Sequence, residues 1–128
     1  VGLKNRVSWV NGTLDVISGK FDTVLQNPPF GVQKKRSDRE FLNKALQSGT
    51  VIYSLHNHPF NKEEQFLKSG NKDYFSILPS AFLKRYVEKM GGKVENVYSI
   101  PMAIPKMFDF HTKTRHQIMV DLYVIKKA

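Results

Sequence analysis

The sequence has no cysteine among its 128 residues. This absence excludes disulfide bonds, cysteine-ligated zinc and a thiol nucleophile, and it is typical of proteins from reducing compartments. Long apolar runs are also lacking, and no run reaches the roughly 20 residues that a membrane-spanning helix needs. We therefore expect a cytoplasmic protein with no membrane association.

Acidic residues are scarce relative to basic ones. Lys and Arg number 20 against 11 Asp and Glu, which gives a formal net charge of +9. Such a positive field attracts polyanions, so RNA or DNA is the expected partner. Two basic clusters would contact phosphates: Lys34, Lys35 and Arg36 form one, and His111, Lys113 and Arg115 form the other.

The remaining composition fits one folded domain. Hydrophobic residues make up 41% of the chain and aromatic residues 12%, which is sufficient for a packed core. Apolar periodicity and turn residues predict strands over residues 6–10, 21–26, 51–55, 94–100 and 117–125, and helices over residues 39–47 and 79–90. Trp9 is predicted to lie in the core.

In two stretches the apolar residues show no regular spacing. Residues 56–78 are predicted to be an irregular insertion with a short helix over 62–68, and residues 101–115 a long loop. His56 and His58 fall in the first stretch. Two histidines two positions apart, with no further ligand nearby, more often contact solvent or backbone than a metal, so we predict no metal site.

The tetrapeptide Asn27-Pro28-Pro29-Phe30 follows the predicted strand over residues 21–26. Two consecutive prolines fix two φ angles and remove two backbone donors, so they end the strand in a rigid shape. In open α/β sheets, ligands bind just beyond the carboxyl ends of the strands. The tetrapeptide is therefore predicted to lie at a binding crevice, although proline-rich turns also occur as simple loops.

This pattern suits methyl transfer to a planar amino group. The nitrogen lone pair of such an amine is delocalised into its ring, and the amine is a poor nucleophile. The Asn27 side-chain carbonyl and the Pro28 backbone carbonyl would each accept one N–H bond and localise the lone pair. Phe30 would stack on the base. Fixed dipoles of this kind need no reorganisation when charge develops.

Four motifs occur in order along the chain: FDTV followed by NPPFG over residues 21–31, VIYSLH over 51–56, FxFHxK over 108–113 and VDLY over 120–123. Together they resemble the archaeal and eukaryotic rRNA adenine-N6 methyltransferases of the methyltransferase-like-five type. The resemblance implies the C-terminal part of a Rossmann-like methyltransferase, an α/β fold with a mostly parallel sheet and an antiparallel final strand.

The resemblance also implies a cofactor, a substrate and a partner. These are S-adenosylmethionine, an adenosine in small-subunit rRNA, and a small zinc-binding activator protein that some relatives recruit. Catalytic roles are assigned to Asn27, Pro28, Pro29 and Phe30. Cofactor contacts are assigned to Thr13, Leu14 and Asn27, and substrate contacts to Phe30, Gly31, Lys34, Lys35, Arg36, His111, Lys113 and Arg115.

The sequence departs from the family pattern in its cofactor elements. No glycine-rich loop precedes a helix, and Thr13 stands where the family commonly has an acidic residue. We therefore expect residues 1–128 to form an incomplete, C-terminal portion of a methyltransferase domain that is inactive alone. The strand over residues 21–26 would then have an open edge, where upstream strands pair in the family.

Two other classes of function remain open, a different methyl-transfer reaction and a non-catalytic role. Guanine-N2 and protein glutamine-N5 methyltransferases also use Asn-Pro-Pro-aromatic loops, although the FxFHxK motif favours the adenine family. The second alternative is a non-catalytic module that binds RNA or a partner and retains the methyltransferase scaffold without its cofactor site.

Overall fold

Five strands and two helices make up the described part of the chain, a computed structural model covering residues 6–28, 37–58, 74–105 and 115–128. Their order is β1 (Phe21–Gln26), α1 (Ser37–Ser48), β2 (Gly49–Asn57), β3 (Phe75–Ser76), α2 (Ala81–Lys89), β4 (Gly92–Pro105) and β5 (Arg115–Lys127). A short 3₁₀ turn at Leu14–Val16 precedes β1. Within these ranges, neither helix has the length and apolar character needed to cross a membrane.

The sheet has the strand order β1-β2-β5-β4-β3 and is largely antiparallel. Only β1 and β2 pair in parallel; β5 pairs antiparallel with both β2 and β4, and β3 pairs antiparallel with β4. The prediction of a mostly parallel sheet was wrong. Although β1, β2 and β4 run in the same direction, β5 lies between β2 and β4 and prevents them from pairing.

The final strand, β5, lies in the interior of the sheet and not at its edge. Met119, Tyr123 and Ile125 of β5 are almost fully buried, and Val120 on the opposite face is buried as well. An apolar strand buried on both faces is typical of the middle of a sheet. In contrast, β1 forms one edge of the described sheet, in agreement with the expected open edge.

The β1-α1-β2 unit follows the prediction closely. Its two strands pair in parallel with Thr23 opposite Val51 and Gln26 opposite Ser54. Helix α1 begins at Ser37, two residues before the predicted start, and places Asp38 in its first turn, where a carboxylate is favourable. Its buried Leu42 and Leu46 belong to the core that covers one face of the sheet.

Helix α2 packs on the same face of the sheet as α1. It begins after Ser80, whose hydroxyl accepts a bond from Leu83 N at 3.1 Å. Ser80 N donates in turn to the hydroxyl of Tyr123 at 2.9 Å, and burial raises the pKa of Tyr123. The shared core contains Leu42, Ala45, Leu46, Ile52, Leu83, Val87, Val97, Tyr123 and Ile125.

The turn after α2 depends on two glycines. Gly91 has a φ of 87°, a conformation that other L-residues rarely adopt. A Cβ on Gly92 would lie 2.8 Å from the Leu46 side chain and 2.9 Å from the Val87 side chain. The predicted helix end at these glycines is confirmed, because one turns the chain and the other lets β4 start against the core.

Three local predictions were wrong. Residues 6–10 form no strand, and Trp9 is 93% exposed rather than buried, because no sheet face lies beneath it in the described structure. Strand β3 occupies part of the predicted irregular stretch. Residues 101–105 continue β4 instead of forming a loop. Among the described residues, β3 pairs with β4 only at Tyr98 and Ser99, so Pro101 lies beyond the described pairing on that side of β4, a position that suits a residue without an N–H donor.

Candidate functional site

The parallel strands β1 and β2 end side by side at one edge of the sheet. Gln26, the last residue of β1, lies opposite Ser54, and β2 continues to Asn57. Asn27 and Pro28 follow β1 at this edge, where α/β folds place their ligands. The structure thus positions the first half of the tetrapeptide where the sequence predicts a binding crevice.

Asn27 and Pro28 differ in exposure. Asn27 is exposed, whereas Pro28 is buried. A buried proline with a fixed φ gives the chain a rigid support directly beside an accessible amide side chain. This arrangement leaves Asn27 available to a ligand while its backbone is held.

Most other predicted site residues lie outside the described ranges. These are Pro29, Phe30, Gly31, Lys34, Lys35, Arg36, His111 and Lys113. Arg115 begins β5 opposite Pro105, and its side chain is not described. The roles assigned to these residues stay predictions.

An apolar depression of about 370 Å³ adjoins Asn27 on the sheet face opposite the helices. Leu25, Tyr53 and Leu55 line it together with Leu122, and Gln26 and Asn27 border it. Leu25 is 77% exposed, so this part of the sheet is accessible in the described structure.

Two of the three predicted cofactor residues line a different cleft. Thr13 and Leu14 border a cleft of about 530 Å³ between the 3₁₀ turn and α1. The Thr13 side chain makes no capping bond to that turn, so its hydroxyl is not occupied there. Leu14 also lines a further depression of about 260 Å³, which shares Leu25 and Gln26 with the depression beside Asn27.

A chain of polar contacts crosses the sheet edge just behind Asn27. Gln26 Nε2 donates to Ser54 Oγ at 2.9 Å, and Ser54 Oγ lies 2.8 Å from His56 Nε2. His56 Nδ1 lies 3.7 Å from Asp38 Oδ2. We call these four residues the edge relay. It connects β1, β2 and the first turn of α1.

The edge relay resembles a Ser-His-Asp triad only in its order. Ser54 is fully buried and His56 is 3% exposed, so the Ser54 hydroxyl cannot reach a substrate carbonyl. Its hydroxyl also accepts the bond from Gln26. The relay therefore has the character of a structural network rather than of a nucleophile.

The residues of the edge relay were not predicted as functional. One signal was present, because Ser54 and His56 are polar positions within the otherwise apolar run over residues 51–56. Ser54 and His56 are two residues apart and so share a sheet face. Their pairing with Gln26 depends on strand register, which the sequence does not state.

Asp38 is the acidic member of the relay and lies in the first turn of α1. The polar contact with His56 lowers the pKa of Asp38 below its ordinary value of 3.8, outweighing the partial burial that would raise it. A lowered pKa means that the folded state favours ionised Asp38 more than the unfolded state does.

Asp38→Asn should therefore reduce stability in a pH-dependent manner. The contribution of ionised Asp38 is fully present above pH 3.8 and is lost as the pH falls through its lower folded-state pKa. Urea unfolding of both proteins should show a larger difference in midpoint at pH 5 than below about pH 4. A difference that persisted unchanged at pH 3 would contradict this account.

His58 forms a second and separate polar pair. Its Nδ1 lies 2.9 Å from both carboxylate oxygens of Asp121 in β5. The Asp121 side chain is 2% exposed and that of His58 is 12% exposed. His56 and His58 thus have different partners, and no group of three or more His, Asp or Glu in the described ranges is arranged to hold a metal.

Comparison with known proteins gives several partial matches. No protein-family model matches the chain. An uncharacterized protein of Methanocaldococcus jannaschii is 40% identical over 104 residues, which are 81% of this chain and 39% of that protein. The rRNA N(6)-adenosine-methyltransferase METTL5 of Danio rerio is 29% identical over 104 residues, or 80% of this chain and 41% of that protein.

Solved structures match over more of the chain. A crystal structure from Pyrococcus horikoshii, described provisionally as an RNA methyltransferase, superposes with a TM-score of 0.66 at 31% identity and covers 91% of this chain and 49% of its own. A crystal structure from Thermoplasma acidophilum superposes with a TM-score of 0.57 at 28% identity and covers 91% of this chain and 52% of its own. The chain thus spans about two fifths to one half of the length of these relatives.

Proposed function

We propose that this chain carries the substrate-facing part of an adenine-N6 RNA methyltransferase. The premise is its homology, over about two fifths to one half of their length, to METTL5-type rRNA N(6)-adenosine methyltransferases and to an archaeal protein described provisionally as an RNA methyltransferase. The proposed cofactor is S-adenosylmethionine, and the proposed substrate is structured RNA, with small-subunit rRNA as the first candidate.

One observation carries the proposal beyond homology. Asn27 is exposed at the carboxyl edge of two parallel strands, beside a buried Pro28 and an accessible apolar depression. An amide carbonyl in this position is a suitable acceptor for one N–H of an exocyclic amine, and the adjoining apolar depression offers a surface against which a planar base could pack.

The proposed mechanism gives this chain an orienting role. S-adenosylmethionine supplies an electrophilic methyl group when it is bound. The Asn27 and Pro28 carbonyls each accept one N–H bond from the target amine and draw its nitrogen toward tetrahedral geometry, so that the lone pair is directed out of the ring plane. Thr13 and Leu14 would contact part of the cofactor from their cleft, where the Thr13 hydroxyl is available.

The positive charge of the chain supports RNA as the substrate. A formal net charge of +9 favours binding to phosphates, and an enzyme that modifies a base must unstack it from its neighbours. The basic residues at 34–36 and 111–115 are proposed to contact the flanking backbone.

The direct test is a methyl-transfer assay with the full-length gene product, labelled S-adenosylmethionine and small-subunit rRNA. We expect N6-methyladenosine when the RNA is digested to nucleosides and analysed by mass spectrometry. N2-methylguanosine would replace the adenine assignment with the guanine alternative. Label that appears only on protein glutamine would reject RNA as the substrate.

A non-catalytic module is the second candidate. The net charge of +9 suits binding to RNA whether or not a cofactor binds. Calorimetry with S-adenosylmethionine distinguishes the two functions. Cofactor binding by the full-length gene product supports the enzyme, whereas RNA binding without any cofactor binding supports the module.

A further inference from the structure

We propose that His56 is a positioning residue for Asn27, because it ties the carboxyl end of β1 to the amino end of α1 through the edge relay. This inference rests on the proposed function for its catalytic consequence. The structural part of the inference, that the relay restrains the backbone beside Asn27, does not depend on that function.

The donors and acceptors of the edge relay can all be satisfied in one direction, from Gln26 towards His56. Gln26 Nε2 donates to Ser54 Oγ, and the Ser54 hydroxyl proton is then free to point at His56 Nε2, 2.8 Å away. An imidazole that accepts at Nε2 carries its proton on Nδ1, and this nitrogen faces Asp38 at 3.7 Å. A single tautomer of His56 therefore suits all the contacts at once.

Burial makes this chain rigid. Ser54 is 0% exposed and His56 is 3% exposed, so water cannot readily replace either contact. The edge of the His56 ring also packs against Tyr123, with ring centroids 5.2 Å apart and the planes inclined by 76°. Polar contacts hold both ring nitrogens and an aromatic contact holds the ring.

The two ends of the relay flank the proposed catalytic residues in sequence. Gln26 immediately precedes Asn27, and Asp38 lies in the first turn of α1, on the far side of residues 27–37. Ladder bonds to β2 hold β1 up to Gln26. The relay adds a side-chain restraint at this last paired residue, where the ladder ends and Asn27 begins.

Removing the relay should impair the chemical step more than binding. A displacement of about 1 Å in a residue that orients the reacting group lowers rates by roughly 100-fold. Ser54→Ala breaks the relay at its centre, and His56→Phe keeps a ring against Tyr123 while removing both nitrogens. We expect each variant to lower kcat by about 10- to 100-fold, with the KM for S-adenosylmethionine and the RNA affinity within about twofold of the unaltered protein.

The experiment compares these variants of the full-length gene product with a matched control, Ser99→Ala. Ser99 is also a fully buried serine on the helix-covered face of the sheet, but its hydroxyl has no hydrogen-bond partner in the described structure. Hydrogen–deuterium exchange is measured by mass spectrometry on peptides that contain Asn27 and on peptides from the first turn of α1. This readout needs neither cofactor nor turnover.

Faster exchange in both regions for Ser54→Ala and His56→Phe, but not for Ser99→Ala, together with the fall in kcat, is the expected result. Unchanged exchange in the two relay variants would overturn the proposal whatever their activity. Equal acceleration in Ser99→Ala would also overturn it, since the effect would then reflect general destabilisation. If the unaltered protein transfers no methyl group, the proposed function fails while the exchange data still decide whether the relay restrains Asn27.

Discussion

Asn27→Ala should lower methyl transfer by the full-length gene product by at least 100-fold. Removing one preorganised hydrogen-bonding group from a transition state typically lowers kcat by roughly 100- to 1,000-fold. Asn27 is exposed at the end of β1, so its truncation leaves no cavity in the core. We therefore expect RNA affinity and the unfolding midpoint to stay close to those of the unaltered protein.

The matched control for this variant is Asn96→Ala. Asn96 is also exposed but lies on β4, three strands away from β1 in the sheet. It should transfer methyl groups at the unaltered rate. Single-turnover kinetics with saturating rRNA separate the chemical step from binding. An Asn27→Ala protein that retained more than about half of the unaltered rate would remove Asn27 from the mechanism and leave the homology as the sole support for the enzyme.

Elements defined by local sequence were predictable. The strand before Asn27 and the two helices carry their own periodicity and end signals, such as Pro79 before α2 and Gly91 after it. Apolar periodicity and helix-end signals involve residues that are close together in the sequence, so they can be read without knowledge of the tertiary fold. The parallel pairing of β1 with β2 was predictable too, because a helix connects the two strands.

Strand order was not predictable from periodicity. The alternation of residues in β5 correctly predicts which side chains share a face of the sheet. It does not predict that β5 inserts between β2 and β4. Pairings of Tyr53 with Val124, and of Val124 with Asn96, join residues that are far apart in the chain. The sheet is therefore largely antiparallel even though three of its described strands share one direction.

Polar clusters in the core were missed for the same reason. Gln26 and Ser54 are 28 residues apart, and His58 and Asp121 are 63 apart. Each residue alone is an ordinary polar position, and its partner is set by register rather than by spacing. Asn27, in contrast, could be singled out from local sequence because two prolines follow it directly, and its role stays a prediction.

The pair of His58 and Asp121 should make the largest single side-chain contribution to stability among the polar contacts described. Asp121 is 1% exposed, and both of its carboxylate oxygens lie 2.9 Å from His58 Nδ1. Removing one partner of a buried hydrogen bond leaves the other polar group unsatisfied, which typically costs about 1 to 3 kcal/mol. His58→Phe, which fills the space but offers no donor, should lower the free energy of unfolding by about 2 kcal/mol.

A double variant tests whether the unpaired carboxylate is the cause. Replacing both members of a buried pair by apolar residues of similar volume is often neutral or stabilising. His58→Phe combined with Asp121→Leu should therefore recover most of the stability that His58→Phe alone loses, as measured by urea unfolding of all three proteins. If the double variant is no more stable than His58→Phe, the loss arises from packing around residue 58 and not from the carboxylate. Recovery in the double variant would assign His58 to the core of the sheet, as the donor that keeps Asp121 compatible with burial between β2 and β4.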